Sequence, residues 1–322
     1  MRASWIRTRR SLLRGFAAAL ALTVAKRGWA GEAAAPKSTT PEIELNSPGT
    51  HTRRYRVRAV VTLFSIPIYS QDGVGAGCAM AEELPSTGGK IHGLQFSGGS
   101  WPEHLKGFNR FGMTQEAVHE KEGVVNQAHY ISFMTSSPEK TSDEAWRSFN
   151  TRSGLLNLTV ARGRATMAGY RSVVQHVTAP ATTTWQDAPE LLEDFRHQTT
   201  WADPPIPAER AYPTFLYSVR QAMAAENPVS HRIFMHNGKL YELRTNRSAN
   251  GTLVCAHSRI IELETKSETE FRIWFDPASP AALPKRIEFR PKSFLRLIFE
   301  HDPAAAGPVL RPLSDRAFQE TA

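Results

Sequence analysis

The sequence has few cysteines and no long apolar run at its start. Its 322 residues contain two cysteines, Cys78 and Cys255, which are too few for a disulfide scaffold. One Cys78–Cys255 bridge would be compatible with an oxidising compartment, and two unpaired side chains packed as small apolar groups are the alternative. The apolar run near the start, residues 16–25, is about half of the roughly twenty residues that a membrane-spanning helix needs. This run therefore predicts a cleavable signal and not an anchor.

The residues around that run indicate an export route. Arg9 and Arg10 precede a mild, alanine-rich core, and Lys26 and Arg27 follow it. Paired arginines in this place resemble the twin-arginine export signal, and basic residues after the core disfavour the general secretory route. We predict that residues 1–30 are a leader recognised by the twin-arginine export machinery, and that the mature protein is periplasmic or secreted in a bacterium.

The mature chain lacks a charge excess. Seven of the 39 basic residues precede position 31 and none of the 31 acidic residues does, so the formal charge of +8 comes mostly from the leader. A nucleic-acid-binding protein needs a basic excess on its surface. We therefore expect no nucleic-acid partner.

Motifs that would identify an enzyme or a metal site are also missing. The glycine run at 73–77 lacks the Gly-Lys-Ser/Thr ending of a P-loop and predicts a turn or bulge between strands. Residues 98–102 approach a nucleophile elbow, but Pro102 stands where its second glycine would be. The eleven histidines show no metal-ligand spacing. We expect no catalytic residue, no metal and no cofactor.

Composition divides the mature chain into three parts. Residues 31–50 are rich in Ala, Pro, Ser, Thr and Glu without periodicity, which is typical of a flexible linker, and residues 302–322 are predicted as a flexible tail. Between them, residues 51–301 form a β-rich region. It is either one domain or two lobes, at about 51–180 and 210–301.

Strand patterns dominate that region. Residues 55–63 alternate apolar and polar side chains, and residues 233–243 form a hairpin with Asn-Gly at its tip. A further hairpin is predicted around residues 162–164. Apolar residues at helical spacing predict two short helices, over 189–199 and 213–225.

An ordered series of short motifs in the last third resembles a known group of proteins. The series is Tyr217-Ser218-Val219-Arg220, Asn237-Gly238-Lys239-Leu240-Tyr241, Ile273-Trp274-Phe275 and Leu283-Pro284-Lys285-Arg286. It is similar to an uncharacterised family of β-rich bacterial envelope proteins, whose shape resembles the carriers of lipids and lipoproteins. The resemblance implies a mainly β fold, with a curved antiparallel sheet as a half-barrel or open barrel and one to three short helices. It supplies no catalytic residues.

The aromatic side chains on the predicted strands suggest a ligand site. If the sheet curves around an apolar space, we expect its lining to include Phe234, Phe271, Phe275, Phe289 and Phe299. A packed core made of the same residues is the alternative. Tyr217 and Arg220, three residues apart on the second helix, form a candidate polar site, with simple packing and ion pairing as the other interpretation.

Two functions from different classes follow from these patterns. The first is a non-catalytic envelope protein that binds an apolar, lipid-like ligand or a protein partner. The second is an exported hydrolase that acts on a glycan or an ester. A concave apolar face favours the first, whereas a polar cleft with two glutamates or a Ser-His pair favours the second.

Overall fold

The computed structural model describes residues 49–63, 66–86, 88–137, 144, 147–198, 205–279, 283–292 and 295–313. The predicted leader 1–30, nearly all of the linker 31–50 and the end of the tail after residue 313 lie outside the described residues.

Strands make up most of the described chain. In sequence order they are β1 (Thr50–Leu63), β2 (Ile66–Ser86), β3 (Gly89–Ser100), β4 (Phe111–Lys121), β5 (Val124–Thr135), β6 (Leu155–Thr166), β7 (Gly169–Pro180), β8 (Val229–His236), β9 (Lys239–Asn250), β10 (Leu253–Glu262), β11 (Glu268–Phe275), β12 (Arg286–Lys292) and β13 (Leu295–His301). The α-helices whose bounds lie within the described residues are α1 (Ala188–Gln198) and α2 (Phe215–Ala224), and Glu144, Arg147 and Ser148 are also helical.

All thirteen strands belong to one antiparallel sheet. Its order is β7-β6-β5-β4-β3-β2-β1-β13-β12-β11-β10-β9-β8. Strands consecutive in sequence pair with each other except β7 and β8, which are the edges, and β1 also pairs with β13. Six antiparallel steps separate β1 from each edge. The two edge strands therefore run in the same direction, and no antiparallel pairing can join them.

The chain between β7 and β8 fills the interval between these edges. Tyr170 of β7 exchanges backbone hydrogen bonds with Ile206, and the N–H of Met235 in β8 donates to the carbonyl of Pro213. Residues 205–213 therefore pair with both edges. This irregular segment satisfies backbone N–H and C=O groups of β7 and β8 that would otherwise remain unpaired.

The two faces of the sheet are covered differently. Helix α2 contacts β8 and β9 near one edge and also β3 and β4 on the other half, so the sheet curves around it and α2 lies on the inner face. Helix α1 packs on the outer face of β4 and β5, where Phe195 and Phe133 have ring centroids 5.4 Å apart.

Trp185 anchors the outer layer just before α1. Its side chain is fully buried, its Nε1–H donates to Oγ of Ser97 at 2.7 Å, and its ring contacts Trp101.

The described end of the chain also lies on this outer face. Leu310 and Leu313 are buried, and the N–H of Leu313 donates to the Glu82 carboxylate at 2.7 Å. The carbonyl of Arg311 accepts from the Gln95 amide. Residues 308–313 are thus packed against β2 and β3, whereas a flexible tail was predicted for 302–322. Burial of the two leucines removes apolar surface from water and favours this packing.

The predicted fold class is confirmed: the protein is mainly β, with a curved, unclosed antiparallel sheet and short α-helices in the described chain. Both predicted helices and the Asn-Gly hairpin are present at their predicted places. The glycine run at 73–77 lies at a bulge of β2 opposite Val57 and Ala59. One continuous sheet runs through both regions considered as lobes. None of the described helices is long and apolar enough to cross a membrane.

The hairpin predicted around residues 162–164 was wrong. Strand β6 continues through these residues and turns only at 167–168. Gly163 belongs in the strand because the Tyr130 ring lies over it, and a Cβ at Gly163 would fall 2.1 Å from Cε1 of that ring. From there Oη of Tyr130 reaches Oγ of Ser172 in β7 at 2.9 Å and accepts from the Gly238 N–H at 3.3 Å. One ring therefore links the interior to both edge regions.

We predict that Gly163→Ala destabilises the protein by about 1–3 kcal/mol, because the added methyl displaces the Tyr130 ring. Urea denaturation measures the change. In the double variant Tyr130→Leu/Gly163→Ala the second substitution should cost far less than it does alone. Additive effects of the two substitutions would show that the ring is not the obstacle.

Candidate functional site

Helix α2 brings the inner face of the sheet together, and its sequence explains why. Phe215, Val219, Ala222 and Met223 recur at helical spacing and pack in one cluster with side chains of β8 to β11. Ser218 donates through Oγ to the carbonyl of Thr214 at 2.7 Å. This packing places the first turn of α2 inside the curve of the sheet.

A cavity of about 230 Å³ lies beside that first turn. The apolar side chains of its walls come from both halves of the sheet and from α2: Val57, Val74, Phe96, Met134, Phe215, Leu297 and Phe299. Cavities of this kind, apolar with a few polar groups, are typical of small-molecule sites.

Glycines on adjacent strands create part of this space. Gly75 of β2, Gly98 of β3 and Gly112 of β4 line the cavity, and where side chains are missing the sheet offers bare backbone. The Phe299 ring lies over Gly98, where a Cβ would be 3.4 Å from Cε1 of the ring. Because that distance is ordinary van der Waals contact, a larger side chain at position 98 would extend into the open space.

The structure separates the five phenylalanines predicted to line a cavity. Phe299 lies in the cavity wall. The other four pack in the cluster beneath α2 and are outside that wall: Phe234, Phe271, Phe275 and Phe289. The helix covers that part of the inner face, so an aromatic pattern alone could not distinguish packed core from open wall.

Three buried polar atoms at the cavity have no hydrogen-bond partner. They are Oγ1 of Thr114, Nδ1 of His236 and Oδ1 of Asn237, and all three residues line the cavity. The His236 ring is surrounded by the rings of Tyr130, Phe215 and Tyr241 at centroid distances of 5.5 to 6.4 Å. Burial lowers the pKa of His236 to about 4, so its ring is neutral near pH 7.

Glu116 of β4 caps the first turn of α2. Its carboxylate accepts from the N–H groups of Leu216 and Tyr217 at 2.9 and 3.0 Å. Burial raises the pKa of Glu116 to about 7, and the backbone hydrogen bonds oppose that rise. The first turn thus takes its position from a side chain on a distant strand.

Tyr217 and Arg220, the predicted polar site, meet a cluster of charged residues on β2 to β4. Arg220 forms an ion pair with Glu83, and the Tyr217 hydroxyl donates to Glu120. Nε2 of the buried His92 lies 3.4 Å from Glu120, and its Nδ1 is 3.7 Å from Glu83. This cluster attaches α2 to the sheet at a second place.

The pKa shifts in this cluster follow from burial and neighbouring charges. Burial and then Arg220 lower the pKa of His92, so its neutral form is favoured. Burial, followed by the bond to Glu120, raises the pKa of Tyr217. For Glu83, desolvation is the largest single effect and raises the pKa, but Arg220, His92 and Lys90 together lower it by more. Each carboxylate therefore has a positive or donating partner already.

Cys78 and Cys255 are both free in the structure. Cys78 lies on β2 and Cys255 on β10, with β1, β13, β12 and β11 between them in the sheet. Cys78 is buried and its thiol contacts the carbonyl of Pro308. Burial raises the pKa of Cys78 to about 12, so its thiol stays protonated near neutral pH.

In the part of the chain that the structure describes, no group of three or more His, Cys, Asp or Glu side chains is arranged to hold a metal ion.

Sequence reasoning missed the polar side of the site: Glu116, Thr114, His236 and Asn237. A signal for the cavity was nevertheless present, since Gly75 and Gly77 on one strand and Gly98 on the next lie at alternate positions and remove side chains from one face.

Comparison with known proteins does not assign the chain to a family. No protein-family model and no curated protein matches the chain. Among solved structures, the chain is similar to the crystal structure of a β-barrel-like protein of a domain of unknown function, DUF1849, from Brucella abortus. The sequence identity is 6%, the TM-score is 0.42, and the match covers 79% of this chain and 96% of that one. This likeness carries no conclusion about function.

We predict that Glu116 makes stability fall as pH rises from 5 to 8. Because the pKa is about 7 in the folded protein and 4.5 ordinarily, the folded state holds this proton more tightly than the unfolded state. The resulting stabilisation is full below pH 4.5 and is lost as pH rises through the folded value.

Urea denaturation of Glu116→Gln at pH 5 and pH 8 checks this. The wild-type protein should lose on the order of 1–3 kcal/mol more than the variant between the two pH values. Glu193→Gln, at an exposed position of α1, is the matched control and should behave as the wild type. Identical pH profiles of wild type and Glu116→Gln would contradict the assignment.

Proposed function

We propose that this protein is a non-catalytic binding protein that holds an apolar, lipid-like ligand in the cavity beside α2. The observation that carries the proposal is the cavity of about 230 Å³ inside the curved sheet, with apolar walls and unpartnered polar atoms on its surface. An empty apolar space costs a folded protein stability, since the atoms lining it lose contacts. A bound chain would restore those contacts.

The walls fit a flexible aliphatic chain. Phe96, Phe215 and Phe299 offer ring surfaces from three different elements, and Met134 adds an unbranched side chain that adapts to irregular shapes. Such walls give affinity through buried area and little selection among chains.

The alternative, a hydrolase acting on a glycan or an ester, has weaker support. Glu83 and Glu120 do lie close to each other, on opposite sides of the His92 ring, and a glycan hydrolase uses two neighbouring carboxylates. Both carboxylates have partners in Arg220 and Tyr217, which hold the helix to the sheet. A binding role accounts for this cluster without a reaction.

We predict that filling the cavity abolishes ligand binding. Gly98→Leu would place an isobutyl group in the space beside Phe299, because the Cβ position itself is free of severe overlap. Protein purified from its own cells should release a lipid-like compound on solvent extraction and show the corresponding added mass in native mass spectrometry, whereas Gly98→Leu should show neither.

Thr178→Leu is the control for an added apolar group, since Thr178 is exposed on β7 and is not in the cavity wall. It should keep the bound compound. A thermal melt of each variant verifies folding. The binding role would be contradicted if the wild-type protein released no ligand on extraction and also failed to take up added compounds with a ten-carbon chain.

We further propose export by the twin-arginine machinery to the periplasm or the medium, on the basis of the leader sequence. Replacing Arg9 and Arg10 together by lysine should leave the precursor unprocessed inside the cell, because lysine lacks the planar guanidinium group of the signal. The double variant Arg2→Lys/Arg14→Lys keeps the pair and should be processed normally. Immunoblotting measures the processing of each variant. Normal processing of the variant with both Arg9 and Arg10 replaced would contradict this proposal.

A further inference from the structure

We infer that the ligand of the cavity ends in an uncharged hydroxyl-type group, held by Thr114, His236 and Asn237, and is therefore a long-chain alcohol or a similar neutral amphiphile. This inference rests on the proposed binding function and specifies the chemical class of its ligand.

The three unpartnered atoms define what the end group must offer. Oδ1 of Asn237 only accepts a hydrogen bond, whereas Oγ1 of Thr114 can donate or accept, and Nδ1 of His236 donates or accepts according to its tautomer. Leaving such buried atoms unpaired costs about 1–3 kcal/mol each. A hydroxyl group both donates and accepts, so it can pair with each of these kinds of atom.

Charges around this end of the cavity disfavour an anion. Glu116 lies two residues after Thr114 on the same strand, so its side chain is on the same face. The neutral His236 ring offers no positive charge. A carboxylate beside Thr114 would lie on the same sheet face as the Glu116 carboxylate, in buried surroundings where like charges repel strongly, and the Asn237 oxygen could not donate to it.

A cation on the ligand is disfavoured for a different reason. Glu116 already accepts two backbone N–H groups of α2, so its charge is compensated in place. The Nδ1 atom of His236 is buried, and the ring lies among three aromatic rings. An ammonium group would lose its hydration there without a dedicated partner.

Arg110 is the formally charged residue in the cavity wall, and it lies away from the end formed by Thr114, His236 and Asn237. It stands four residues before Thr114 along the chain, about 13 Å away in an extended strand. Its guanidinium lies 4.5 Å from the centroid of the Phe149 ring. A fatty acid would therefore have to bind with its carboxylate at the opposite end, which gives a distinct result in the test.

The experiment is displacement of the neutral fluorescent probe N-phenyl-1-naphthylamine from the full mature protein at pH 7.5. The competitors share a ten-carbon chain and differ at the end: 1-decanol, decyl methyl ether, decanoate and decyltrimethylammonium. We expect 1-decanol to displace the probe at a concentration about three- to tenfold lower than the ether, which lacks the donor. Decanoate and decyltrimethylammonium should be weaker than 1-decanol.

Variants locate the effect. Thr114→Val and His236→Phe preserve size and remove the polar atom, so each should reduce the preference for 1-decanol over the ether to about twofold or less. Thr178→Val makes the same change at an exposed position and should leave the preference unchanged.

Two outcomes would overturn this inference alone: equal binding of 1-decanol and the ether by the wild-type protein, or tightest binding of decanoate. In both cases the cavity still binds apolar chains. Failure of the probe and of all four compounds to bind would instead contradict the proposed binding function itself. The comparison of competitors uses the wild-type protein, so it stands even where a variant does not fold.

Discussion

The direction of the two edge strands is the constraint on which the rest of the structure depends. With β1 paired to β13, thirteen strands form a nearly complete ring, and its parity leaves β7 and β8 parallel. A short turn cannot connect such edges. The chain must cross back along the sheet between Pro180 and Val229, and this crossing supplies α1, the segment that pairs with both edges, and α2.

The position of α2 inside the curve determines which part of the inner face is core and which is open. The helix covers β8 to β11 with its apolar side, whereas its first turn, held by Glu116, stops beside the glycine-bearing part of β2 to β4. Space remains where neither helix nor side chain fills the curve. The cavity is thus a consequence of how far the helix reaches and of which strand positions lack side chains.

Local patterns predicted the elements well, and long-range contacts account for what they missed. Apolar spacing located α2, and Asn237-Gly238 located a hairpin, because both signals depend on neighbours in sequence. Gly163 suggested a turn because glycine is common in turns. The ring that explains it, Tyr130, belongs to a strand more than thirty residues away and leaves no local signal. The residues around Glu116 in the sequence do not indicate that it caps a helix, because its partners are a hundred residues further along the chain. Which aromatic residues form a wall and which form core depended on the same distant helix.

If an apolar chain occupies the space inside the curved sheet, a crystal structure of the protein purified from its own cells should contain it. We expect continuous elongated electron density between Phe96, Phe299 and Phe215, with its polar end beside His236. Collapse of these three rings onto one another, with no density between them, would contradict it.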